Sequence, residues 1–114
     1  SKRLVILRDA PLPRFDGPNC LARRQWQPAI FRGDCSFQAE NSLSPMLLQM
    51  HRRIAEENGT VGFLDMTQHI CPGGACTVDD GTIIKYRDGN HLSDKFVRTL
   101  VPVLREELAR QGAF

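Results

Sequence analysis

The sequence predicts an α/β domain with a parallel sheet, present as its C-terminal half. Three observations carry that expectation. Leu4-Val5-Ile6-Leu7 and Val61-Gly62-Phe63-Leu64 are short, continuous apolar runs ended by turn residues, the pattern of strands buried on both faces. A capped amphipathic helix stands between them, and strand-helix-strand order with buried strands implies parallel pairing under helices. Such sheets normally hold about four or five strands; only two are evident here, and the chain starts at Ser1, not Met, so it reads as part of something longer. The expectation is one partial domain over residues 1–114. A partner segment, or a second copy in a homodimer, would cover the open edge beside Leu4 to Leu7.

Each element has its own signal. The first strand ends at Asp9-Ala10-Pro11. Residues 11 to about 43 hold four prolines (Pro11, Pro13, Pro18, Pro28), two glycines and two cysteines without a sustained apolar period, which reads as an irregular crossover stapled by Cys20 and Cys35. Ser44 then caps a helix with Pro45 in its first turn. Leu47, Met50, His51 and Ile54 share one of its faces, and Asn58-Gly59 ends it. After Val61 to Leu64 come Asp65, a cysteine hairpin, and Asp80-Gly81 turning into a short strand or extended arm, Thr82-Ile83-Ile84-Lys85-Tyr86. Ser93 caps the last helix, with Phe96, Val97, Leu100, Val101, Leu104 and Leu108 on its inner side and Pro102 expected to kink it.

Composition narrows the function classes. The chain has 114 residues, 41% hydrophobic and 25% charged, as in an ordinary globular protein. No window approaches the roughly 18 apolar residues of a spanning helix, and the basic N-terminus lacks the apolar core of a signal peptide. The net charge of +2 comes from arginines scattered along the chain, with only Arg23-Arg24 and Arg52-Arg53 adjacent, so no nucleic-acid partner is expected.

The four cysteines group as Cys20 with Cys35 and Cys71 with Cys76, the second pair spanning the turn-forming Pro72-Gly73-Gly74-Ala75. Two disulfides in an oxidising compartment are the first reading. Zinc competes, with His69, Cys71 and Cys76 as ligands and a fourth from Cys20, Cys35 or His51; free thiols are the third reading.

The residues with chemistry to offer gather at Tyr86-Arg87-Asp88-Gly89-Asn90-His91-Leu92-Ser93. Asp88 and His91 are three apart in a glycine-containing loop, so the carboxylate can fold back onto the imidazole, fix its tautomer and stabilise its protonated form. The plain alternative is a turn at Asp88-Gly89-Asn90 followed by a surface histidine. Four other positions have plain readings: His69 in a loop, His51 packed on its helix, Asp65 as a strand-end cap, and Trp26 packed under the crossover.

The block Asp88-Gly89-Asn90-His91-Leu92-Ser93, followed by a helix with Leu100 and Pro102, resembles the last catalytic block of SGNH (GDSL-type) hydrolases. With Leu64-Asp65, Cys71-Pro72, Cys76 and Leu4-Val5-Ile6 before Cys20-Leu21, nearly the whole chain is similar to the SGNH domain fused to bacterial integral-membrane sugar O-acyltransferases. The resemblance implies a flavodoxin-like three-layer α/β/α domain outside the cytoplasm, tethered to the inner membrane in the parent protein. It implies acyl transfer or ester hydrolysis without a cofactor, from an acyl donor to a carbohydrate acceptor, with Asp88 and His91 as two members of a Ser-His-Asp triad. The family's serine lies in a Gly-Asp-Ser turn near the domain's start, with oxyanion donors in the next blocks, and neither is found here. Gly33-Asp34-Cys35-Ser36 imitates that turn, but it neither follows a buried strand nor opens an apolar helix. The nucleophile is therefore expected on the upstream half of the same domain, leaving this part inactive alone. A non-catalytic, disulfide-stapled binding module that keeps the fold is the alternative.

Overall fold

A computed structural model describes residues 4–27 and 34–113. In chain order its elements are β1 (Leu4–Leu7), α1 (Gly17–Trp26), β2 (Ser36–Gln38), α2 (Ala39–Ser42), α3 (Pro45–Glu57), β3 (Val61–Leu64), α4 (Thr67–Ile70), a 3-10 turn (Pro72–Gly74), β4 (Ala75–Thr77) and α5 (Asp94–Arg110). No helix among the described residues is long and apolar enough to cross a membrane.

The two apolar runs pair in parallel, Leu4 opposite Val61 through Leu7 opposite Leu64, and the Arg8 N–H extends the ladder to the Leu64 carbonyl at 2.9 Å. On its other side β1 has no strand among the described residues, and Leu4 and Leu7 are 59% and 53% exposed.

The crossover departs from the expected irregular segment. It carries a ten-residue helix, α1, which opens at Asp16, whose carboxylate accepts the Asn19 N–H at 2.9 Å. Pro18 helps start this helix instead of breaking it, as proline can in a first turn. No apolar period betrayed it because Gly17 is its only fully buried residue. A Cβ there would meet Val78 Cγ1 at 2.8 Å, so close packing at a glycine replaces an apolar stripe. A Cys20–Cys35 disulfide ties α1 to the residue before β2, and β2 pairs antiparallel with β4. Pro28 and Gly33 lie outside the described residues.

The other elements follow their local signals. Ser44 Oγ accepts the Leu47 N–H at 3.2 Å to cap α3, and the Asn58 side chain closes its other end on the Ile54 carbonyl at 2.8 Å. Cys71 and Cys76 are bonded across the 3-10 turn, where Gly73 and Gly74 take φ of +69° and +83°. All four sulfurs are thus paired and none is a thiolate ligand for a metal. Residues 82–86 form an extended arm held by the single bridges Asp79–Ile84 and Tyr86–Leu92, without becoming a strand.

The core joins Ala39, Leu64, Met66, Ile70, Cys71, Cys76, Tyr86 and Phe96, with Leu100, Leu104 and Leu108 of α5 against it. Val97 and Val101, expected inside, are exposed. They border an apolar groove of about 180 Å³ together with Leu7, Met66 and Ile70, beside the edge of β1 that no strand covers.

Candidate active site

Turn chemistry builds the loop that carries Asp88 and His91. Asp88 Oδ1 accepts the Asn90 backbone N–H at 2.8 Å, the Arg87 N–H donates to the His91 carbonyl at 2.8 Å, and Tyr86 bridges Leu92. Tied at both ends, the loop brings the two side chains together, with His91 Nδ1 2.9 Å from Asp88 Oδ1 and 3.0 Å from Oδ2. Helix α5 starts immediately after it. The Ser93 N–H bonds the Lys85 carbonyl at 2.7 Å, while its Oγ donates to the Ile84 carbonyl and accepts the Phe96 N–H at 3.2 Å. Beneath, buried Lys85 donates to the Ile70 carbonyl at 2.9 Å and lies 5.2 Å from the Phe96 ring centre, joining the end of α4 to the start of α5.

The loop is seated on residues 11–15, just past the end of β1. Tyr86 is fully buried, and its phenol donates to the Pro11 carbonyl at 2.7 Å. Burial pushes the phenol up to about 12. The proton of this anchor is therefore fully present below the ordinary value of 10.0 and is lost only as pH rises through about 12. The Arg14 N–H donates to the Gly89 carbonyl at 3.0 Å. Arg14 reaches it with φ of 64°, the only positive φ of a non-glycine residue among those described, at a cost of about 1–2 kcal/mol. The site thus sits beyond the carboxyl end of a parallel strand, where α/β sheets place their ligands.

Gly89 is needed for this seat. A Cβ on it would stand 3.2 Å from the Arg14 carbonyl carbon and 3.3 Å from Phe15 N and O, all backbone. Gly89→Ala is expected to lift the loop and lower stability by about 1–3 kcal/mol. Thermal unfolding checks this, and an unchanged melting temperature with the Asp88–His91 contact intact would contradict it.

The hydrogen bonds from Asn90 and His91, helped by the charges of His91 and Arg87, hold the Asp88 carboxyl below its ordinary 3.8. A depressed carboxylate favours the folded loop at pH above the unfolded value and loses that contribution as pH falls through the folded one. Carboxyl ¹³C NMR should therefore give a midpoint below 3.8, and a midpoint at or above it would contradict the pairing. An ionised carboxylate can only accept, so Nδ1 of His91 carries a proton, and in the neutral ring Nε2 then presents its lone pair. The two side chains are 42% and 58% exposed, open to an incoming group.

Asp65 is structural. Partial burial raises its carboxyl, but hydrogen bonding from Thr67 and the Arg8 guanidinium outweigh this and leave it below the ordinary value. It accepts the Thr67 N–H at 2.9 Å at the start of α4 and pairs with Arg8 at 2.8 Å. His69 is an exposed residue of the last turn of α4, His51 packs tilted against Phe63 with ring centres 6.1 Å apart, and Trp26 is exposed at the end of α1 instead of packed.

No serine among the described residues hydrogen-bonds His91. Ser42 bonds the Ala39 carbonyl, Ser44 and Ser93 cap helices, and Ser36 lies on β2 opposite Thr77. Cys35 is consumed by its disulfide.

Fold and site define a small α/β domain that presents an aspartate–histidine pair at the carboxyl end of its sheet. Residues 1–106 match the family described as "SGNH domain (fused to AT3 domains)", and the chain belongs to that family. It is thus a module of the hydrolase and acyltransferase kind. No curated protein and no solved structure matches it.

Proposed function

We propose that this chain supplies the aspartate and histidine of a Ser-His-Asp triad that transfers an acetyl or related acyl group to a cell-surface polysaccharide, or removes one. The observation that carries the reading is the 2.9 Å contact between His91 Nδ1 and Asp88 in a chain of the SGNH family. His91 Nε2 takes the serine proton as the hydroxyl oxygen attacks the donor carbonyl, then returns it to the leaving group. In the second half-reaction it takes the proton of a sugar hydroxyl, or of water in hydrolysis, and gives it back to the serine as the acyl group departs. Asp88 holds the ring in the required tautomer and stabilises the imidazolium.

The serine comes, in this reading, from the upstream half of the domain. Its strands pair with the open edge of β1 and fill the groove lined by Leu7, Val97 and Val101. Pairing of a second copy on the same edge is the homodimeric alternative. The disulfides and the family's fusion to acyltransferase domains support a place outside the cytoplasm, anchored through the parent protein's membrane domain.

The lack of a serine bonded to His91 among the described residues favours a second reading, a non-catalytic binding module. An activated acetyl ester tests the first reading on the chain itself. No turnover above buffer is expected, with or without Ser36→Ala. Turnover abolished by Ser36→Ala would place the nucleophile in this chain and overturn the assignment.

A further inference from the structure

We infer that Arg14 and the cleft it lines bind an anionic substituent, a carboxylate or a phosphate ester, carried by the acceptor sugar; naming the acceptor rests on the function proposed above, while the anion site does not. The cleft, about 120 Å³, opens past the end of β1 and is lined among others by Arg8, Asp9, Arg14, Ser42, Ser44 and His51. It is smaller than the about 150 Å³ that encloses one aromatic six-membered ring. A substituent enters and the sugar ring stays outside, toward the catalytic loop.

Position 14 argues for a ligand. Its φ of 64° is one that glycine adopts without penalty and asparagine adopts readily, and its one hydrogen bond among the described residues, to the Gly89 carbonyl, is made by the backbone. Nothing in that geometry calls for an arginine side chain. The residue nonetheless lines the cleft, is exposed, and forms no ion pair among the described residues. Arg8, which also lines the cleft, gives one donor to Asp65, and a guanidinium carries five. Of the lining residues only Asp9 is acidic. Leu43, Leu47 and Leu48 complete a lining of mixed character, to which two arginines bring the groups suited to planar, bidentate recognition of carboxylate and phosphate. Strain at a non-glycine residue is common where a side chain is held for function. Because the Arg14 N–H grips Gly89, an anion on its guanidinium is also felt by the loop between Asp88 and His91.

The test is an amide NMR titration of the ¹⁵N-labelled chain with glucuronate, inorganic phosphate and, as neutral control, glucose. Saturable shifts at Arg14 and Gly89 with glucuronate, phosphate or both, and none with glucose, are expected; the stronger anion identifies the substituent. Arg14→Gly keeps the backbone conformation and should weaken anion binding about tenfold or more, the worth of one charge-assisted pair. Arg14→Gln, which keeps a long polar side chain, should weaken it likewise. Equal shifts with glucose, no saturable shift with either anion, or undiminished binding by folded Arg14→Gly would overturn the site. None of these readouts needs turnover, so failure here leaves the acyl-transfer reading standing, and failure of acyl transfer leaves this site to be judged by binding alone.

Discussion

In the complete protein, His91→Ala should lower acyl transfer about ten-thousand-fold, with the loss in kcat and little change in KM for the donor. In the proposed mechanism the imidazole acts on protons in flight and not on the bound ground state, so its removal would cost transition-state stabilisation. Asp88→Asn should cost about a hundred- to ten-thousand-fold. An amide can turn its NH₂ toward Nδ1, which then has to accept, moving the proton to Nε2, the nitrogen that must act as base. The smaller end of that range reflects exposure: at 42% exposed, Asp88 works partly through solvent, which screens its field. Initial rates of acetyl transfer over a donor series, with folding verified by circular dichroism, check both variants. Retention of kcat in folded His91→Ala would remove the histidine from the mechanism.

The second large effect is on stability. Closing loops with separations of 15 and 5 residues is worth about 3 and about 2 kcal/mol in loop entropy, against a usual domain stability of about 5–15 kcal/mol. Cys71 and Cys76 are fully buried in the same cluster as Tyr86. Paired Cys71→Ala and Cys76→Ala substitution therefore removes the shorter loop constraint and loosens the seat of Tyr86, whose phenol holds the loop to Pro11. A loss of about 2–4 kcal/mol is expected in urea unfolding, with broadened His91 resonances. Substituting Cys20 and Cys35 should cost about 3 kcal/mol and leave His91 sharp, because that bond ties α1 to β2 outside the central cluster. Equal effects on His91 from the two pairs would contradict this division.

Much of the fold is legible because local signals agree with the tertiary outcome. Leu4 to Leu7 and Val61 to Leu64 read as strands and pair in parallel, although β1, expected to be buried on both faces, has no buried residue because no described strand covers its outer edge; Ser44-Pro45 and Ser93 mark helix starts that the structure caps with those hydroxyls. The three-residue spacing of Asp88 and His91 likewise anticipates their contact. Three features were not legible. Helix α1 has no apolar stripe, since its anchors are Gly17 against Val78 and a disulfide, both set by distant parts of the chain. Strands β2 and β4 are three residues each, too short for a period. Arg14 takes a left-handed conformation without the glycine or asparagine that normally announces one, so the seat of the loop could not be foreseen. Tyr86 had a weak signal, an aromatic residue directly before the Asp88 loop, but its acceptor is a backbone carbonyl 75 residues away, which no side-chain pattern encodes. Helical period alone assigns Val97 and Val101 to the core; the structure leaves them exposed at the groove beside β1, whose outer edge no described strand covers.

Mass spectrometry of the complete protein after brief exposure to an acyl donor tests the central claim most directly. The account predicts an acyl adduct on a serine outside residues 1–114 that forms in the parent and disappears in folded His91→Ala. An adduct that forms undiminished without His91, or one that maps to Ser36, would contradict it.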